Sequence, residues 1–81
     1  MDTGQLIGEI KKTGVVVTKV RLTEFKGRRF LDIRDFFKPK GSVDYAPTKK
    51  GIALDIVRIP EIVSILEQAE AEAKKLVDKA Q

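Results

Sequence analysis

The apolar residues change period once along the chain, and that change restricts the fold more than any other feature. Apolar and polar side chains alternate within Thr13–Leu22 and again through Arg29–Phe37, as strands with one half-buried face require. Beyond Leu54 the spacing becomes helical. Ile59, Ile62, Leu66, Ala69, Ala73, Leu76 and Ala80 follow at intervals of 3 and 4, and Val63 and Val77 widen the stripe. Strands in succession followed by one long helix describe an α+β chain with an antiparallel sheet.

The alternation assigns faces. In the run Thr13–Leu22, Val16, Thr18, Val20 and Leu22 share one face, while Val15, Val17, Lys19 and Arg21 share the other, which ends basic. Phe25-Lys26-Gly27-Arg28 carries the glycine a tight turn needs. Across the next strand Leu31 and Ile33 oppose Arg28, Phe30, Asp32 and Arg34. Lys38–Ser42 is a loop by its Pro and Gly, followed by short strands at Val43–Ala46 and Gly51–Leu54. Residues 1–12 form an extended or partly disordered N-terminal segment, and 13–81 form the domain. At the helix start, Asp55 can cap a first turn, but a helix running from there would drive the Pro60 ring into the Ile56 carbonyl. The preferred reading is a tight 3₁₀ turn over 55–59, with the helix beginning at Pro60.

A chain of 81 residues without cysteine holds a marginal core, so association with a second copy is the expected source of further burial. A helix of roughly 20 residues spans about 30 Å, more than short strands cover. Ile62, Leu66, Ala69, Ala73 and Leu76 are the expected homodimer face; the alternative is a monomer with the alanines against its own sheet. No run approaches the roughly 18 apolar residues of a membrane span, and the N-terminus lacks the basic-then-apolar order of a signal peptide. The expectation is a soluble intracellular protein without membrane partners, consistent with the absence of cysteine.

The absence of histidine and cysteine removes the usual general base, thiol nucleophile and zinc ligands. Asp32 and Asp35 are the close carboxylates of the basic region, and their spacing of three puts them on opposite strand faces. They read as partners of neighbouring arginines in preference to a divalent-metal nuclease centre. No enzyme activity is expected. Charge points elsewhere: residues 19–50 hold ten cations against four acids, whereas 51–81 hold four against six. That asymmetry suits a polyanion, although a solvated mixed surface would look similar. Phe25, Lys26, Arg28, Phe30, Arg34 and Phe37 interleave rings with cations, the combination that unpaired nucleic acid requires for stacking and phosphate contact. Phe30, Phe36 and Phe37 have a competing place in the core; that reading is preferred for Phe36, and exposure for Phe25.

Three motifs in order, Phe25-Lys26-Gly27-Arg28, Leu31-Asp32-Ile33-Arg34-Asp35-Phe36-Phe37 and Lys49-Lys50-Gly51-Ile52-Ala53-Leu54, resemble the single-strand-binding domain of the transcriptional coactivator positive cofactor four family. The resemblance spans roughly residues 15–80. It implies a curved four-stranded antiparallel sheet followed by a long C-terminal helix (ββββα), in a whirly-like dimer whose sheets form grooves for single-stranded DNA. It also implies stacking by Phe25 and Phe37, phosphate or base-edge contacts from Lys26, Arg28, Arg34, Lys49 and Lys50, and no cofactor or metal. Phe37 stands where the family commonly has Trp. Thr23 replaces a frequent cation, for which Arg21 on the same face can substitute. The Ser- and Lys-rich tail of the eukaryotic coactivators is missing, which suggests a minimal microbial or viral form. The implied role is non-sequence-specific binding of single-stranded DNA, with RNA left open, in transcription, replication or repair. The setting would be cytoplasmic or nucleoid-associated, or nuclear in a eukaryote. The alternative function is an adaptor that docks a partner from the transcription machinery through its helix.

Overall fold

A computed structural model of the chain describes residues 4–80, with side chains through Val77. Residues 1–3 of the N-terminal segment, Gln81, and the Ala80 side chain of the helical seam lie outside what is described. Four strands pair antiparallel in chain order: β1 (Gln5–Lys11), β2 (Val16–Phe25), β3 (Arg28–Phe37) and β4 (Ala46–Asp55). The sheet is open. A 3₁₀ turn, Ile56–Arg58, leads into one helix, α1 (Ile59–Ala80).

The class is the one the periodicity indicates, but the strands are drawn differently. β1 occupies the segment set apart at the N-terminus. A register shift between Leu6 and Gly8 interrupts its alternation, which hides it from a period-two reading. β2 begins at Val16, not Thr13, because Thr13 Oγ1 accepts the amides of Val15 (3.2 Å) and Val16 (3.1 Å) and folds those residues into the β1–β2 turn. Of the two short strands expected around Pro47, Gly51–Leu54 lies within β4, which begins at Ala46, whereas Val43–Tyr45 belong to the loop before it. Pro47 pairs with Phe36 on an edge strand, where a missing N–H costs no ladder bond on the open side.

Two positions carry the local geometry. Lys26 (φ 52°) and Gly27 (φ 78°) both adopt left-handed backbone, so β2 and β3 join through a two-residue turn whose twist matches the strands. At the helix entrance the Val57 amide donates to Asp55 Oδ1 at 3.1 Å, and the helix follows the 3₁₀ turn directly. Pro60 then sits in the first helical turn, where its missing N–H would have had no intrahelical acceptor.

Register separates the sheet into two faces. On one, Val17, Lys19, Arg21, Thr23 and Phe25 of β2 stand opposite Phe36, Arg34, Asp32, Phe30 and Arg28 of β3. The other gathers Val16, Val20 and Leu22 with Ile33 and Leu31, continued by Ile52 and Leu54 of β4. Among the described residues, three of the four most buried, Val17, Asp32 and Phe36, lie on the charged face, the last two beside long cationic side chains. The apolar face is only partly covered: Leu31 is buried, whereas Ile52 is 51% exposed. The helix packs mainly against the 3₁₀ turn before it, leaving Leu66 57% and Leu76 68% exposed. The molecule is accordingly flat. Its radius of gyration is 15.2 Å, against about 12 Å for a compact domain of this length.

Candidate nucleic-acid interface

The charged face begins at the β2–β3 tip. Phe25 is 65% exposed there, held outward by the tight turn, and the Lys26 ammonium lies 5.3 Å from its ring centroid. Next along β3, the Arg28 guanidinium stands 5.7 Å from the half-buried Phe30 ring and donates to Asp55 at 3.0 Å. That contact fastens the tip to the helix entrance. The Val57 amide first, and then Arg28, hold the Asp55 carboxyl below the ordinary aspartate value of 3.8.

Mid-face, Asp32 is buried between two arginines. Arg21 Nη2 approaches it at 3.2 Å and Arg34 Nη2 at 3.0 Å, while Arg34 Nη1 donates to the Thr48 carbonyl at 2.9 Å. Arg34 thereby ties β3 to the irregular stretch of β4, where Asp35 faces Thr48, Lys49 and Lys50. The arginine-partner reading thus holds for Asp32. Asp35 takes a different set: Lys12 Nζ donates to it at 2.9 Å and Thr18 Oγ1 at 2.7 Å. The Lys12 hydrogen bond, followed by that of Thr18, lowers its carboxyl below 3.8. The two aspartates project from opposite faces, as their spacing indicates.

Beyond the arginine pair the face continues over Phe36. Lys19 Nζ sits 4.6 Å and the Arg21 guanidinium 5.0 Å from its ring centroid, so this phenyl forms the floor beneath cations. Lys19 also lies 6.0 Å from the Tyr45 ring, which Lys38 approaches at 5.5 Å from the loop after β3.

The nine candidate residues therefore divide. Arg21, Phe25, Lys26, Arg28, Phe30 and Arg34 form one continuous surface with its tip at the turn. Phe37, paired with Val16, belongs to the opposite face, and is 41% exposed. Lys49 and Lys50 join it around a hollow of about 330 Å³ that Val16, Asp35 and Thr48 also line. Lys19 and Tyr45 adjoin this surface but are not among the nine. Lys19 was legible through its parity with Arg21; Tyr45, expected in a short strand over Val43–Ala46, sits in the loop before β4. Of the proposed dimer residues Ile62 is half-buried, whereas Leu66, Ala69, Ala73 and Leu76 are exposed along one helix. Among the described residues no helix is long and apolar enough to cross a membrane.

Comparison with known proteins bears on the fold and the family. A crystallised PC4 homolog from Burkholderia pseudomallei K96243 superposes with a TM-score of 0.75 at 22% identity, over 84% of this chain and 98% of that one. A bacteriophage T5 homolog of the eukaryotic coactivator PC4, implicated in recombination-dependent DNA replication, gives 0.73 at 18% identity, over 94% and 86%. Both establish the fold. The RNA polymerase II transcriptional coactivator of Drosophila melanogaster is 36% identical over 50 residues, which are 62% of this chain and 44% of that protein, so the chain spans less than half of its length. The family model described as Transcriptional Coactivator p15 (PC4) matches residues 17–65, from the buried Val17 through the hairpin tip, the arginine pair and the helix entrance, and the chain belongs to that family.

Proposed function

We propose that the chain binds single-stranded nucleic acid, DNA in the first instance, with little sequence preference, and does so as a homodimer serving transcription, replication or repair. The exposed Phe25 ring beside Lys26 and Arg28, continuous with the cation-covered face behind it, carries this reading. An aromatic held in solvent at the tip of a rigid turn offers a stacking surface that a duplex, whose bases are already stacked, cannot use. Cations on both sides supply sequence-independent attraction for phosphates. The uncovered apolar stripe from Leu66 to Leu76 supports the second copy, since a helix with one bare apolar face on a flat 81-residue chain leaves burial to be completed elsewhere.

Fluorescence anisotropy with labelled oligo-dT, a duplex and an RNA of equal length tests the proposal. Neutralising about five phosphates per subunit gives a slope of about −3.5 in log affinity against log salt, or about a 100-fold loss between roughly 50 and 200 mM. The duplex should bind more weakly than the single strand at every salt concentration. Phe25→Ala should lose about 1–3 kcal/mol of binding with an unchanged melting temperature. Salt-independent binding, or duplex preferred over single strand, would refute the reading. Sedimentation at micromolar chain giving the mass of one subunit would remove its dimeric part.

A further inference from the structure

We infer that the nucleic-acid path has a second stacking station at Tyr45, at the far end of the charged face from Phe25, bracketed by the ammonium groups of Lys19 and Lys38. The inference rests on the proposed function and specifies how much strand the surface holds. Its ligand is one unpaired base with the phosphates flanking it.

Three observations converge. Tyr45, the chain's single tyrosine, is half-buried with Lys38 at 5.5 Å and Lys19 at 6.0 Å from its ring, one cation from the loop and one from β2. Lys19 also lies 4.6 Å from the Phe36 ring, so the cations run without a gap from Arg21 to Lys38. The loop that presents Tyr45 is also fixed. The Lys38 amide donates to the Val15 carbonyl at 2.8 Å, the Ser42 amide to the Pro39 carbonyl at 2.9 Å, and the Asp44 amide to Ser42 Oγ at 3.2 Å. A ring held in place before binding loses little freedom when a base stacks on it.

Phe25 and Lys19 are six residues apart on β2, about 20 Å along the strand. A strand engaged at both stations must therefore be several nucleotides long, whereas a shorter one reaches only one of them. Phe36 cannot be the far station, because it is 6% exposed beneath its cations.

Length-dependent binding tests this. Wild type and Tyr45→Leu, which keeps apolar bulk but removes the ring, are titrated with oligo-dT of about 4 and about 16 nucleotides. The expected result is near-equal affinity for the short oligonucleotide and a loss of about 5- to 150-fold for the long one, with the salt slope unchanged. Lys38→Ala, a loop substitution that leaves the sheet intact, should lower the slope by about 0.7 for the long oligonucleotide alone. Equal losses at both lengths, no loss at either, or a Lys38→Ala slope identical to wild type would overturn the inference. If the wild-type chain bound neither length, the proposed function itself would fail, and the second station with it.

Discussion

Gly51 gives the sharpest test of how the sheet is assembled. It pairs with Arg34 immediately beside the irregular stretch of β4, and a Cβ built there would stand 2.6 Å from the Ile33 carbonyl oxygen and 2.8 Å from both Cα and Cβ of Arg34. Ordinary contact begins near 3.4 Å, so β4 would have to withdraw by up to about 0.8 Å. Backbone atoms form most of the obstacle, and no rotamer change relieves it. Overpacking of this kind costs about 1–3 kcal/mol, and alanine's smaller unfolded-state entropy returns about 0.4–1. Gly51→Ala should therefore destabilise the fold by about 1.3 kcal/mol, lowering the melting temperature by about 5–10 °C at fixed chain concentration. Gly8→Ala and Gly14→Ala are the controls, because a Cβ at either meets nothing within 4 Å and neither glycine has a positive φ. Thermal melting followed by far-ultraviolet circular dichroism reads all three. A Gly51→Ala protein melting at or above wild type would refute the argument that close approach, rather than flexibility, is why glycine stands there.

Three further expectations follow from the polar contacts. Asp32→Ala leaves the Arg21 and Arg34 guanidinium groups, 13% and 22% exposed, without their shared carboxylate, and should cost about 3–5 kcal/mol in urea unfolding; a loss under about 1 kcal/mol would contradict the geometry. Lys12→Ala removes the main cause of the lowered Asp35 carboxyl. The stability difference from wild type should be full well above pH 3.8 and fade as pH falls through the folded carboxyl's value, so the variant's acid-unfolding midpoint moves to higher pH; a pH-independent difference would refute the pairing. Lys26→Gly relieves a left-handed non-glycine residue, gaining about 0.5–1 kcal/mol of stability, while removing one phosphate contact and about 0.7 of the salt slope. Melting and anisotropy should thus move in opposite senses, and parallel movement would count against the proposed role of Lys26.

Most of the architecture was legible because the residues involved obey a period. Parity alone put Lys19 with Arg21 on one face of their strand and Asp32 with Arg34 on one face of theirs, and the register between β2 and β3 joins the two sets. The turn at Lys26-Gly27 and the 3₁₀ entrance at Ile56–Arg58 were legible from glycine, aspartate and proline chemistry. What escaped was whatever broke a period. The register shift in β1 erased its alternation, and the irregular stretch of β4 between Pro47 and Gly51 hid the first half of that strand, which was sought instead at Val43–Ala46. Phe36 and Phe37 show a finer limit. Parity assigns Phe36 to the basic face and Phe37 to the other, but it does not show that Phe36 lies buried beneath Lys19 and Arg21 while Phe37 is 41% exposed.

The buried acid at the middle of a basic face has a physical reason. Lys19, Arg21 and Arg34 crowd two adjacent strands, Lys19 directly opposite Arg34 and Arg21 opposite Asp32. Without Asp32 their mutual repulsion would splay the long side chains into water and uncover Phe36. With it, both guanidinium groups are drawn down against the sheet, and Arg21 and Lys19 shield the ring. Fixing them this way makes the centre stiff and partly neutralised. The more exposed charge is displaced to the rim, with Lys26 and Arg28 at one end and Lys40 in the loop at the other, beside the half-buried Lys38. On the proposed function a strand would be captured electrostatically at the two ends and laid over a centre that supplies shape more than charge. That division makes the affinity of long oligonucleotides more sensitive to Tyr45 and Phe25 together than to either arginine of the central pair.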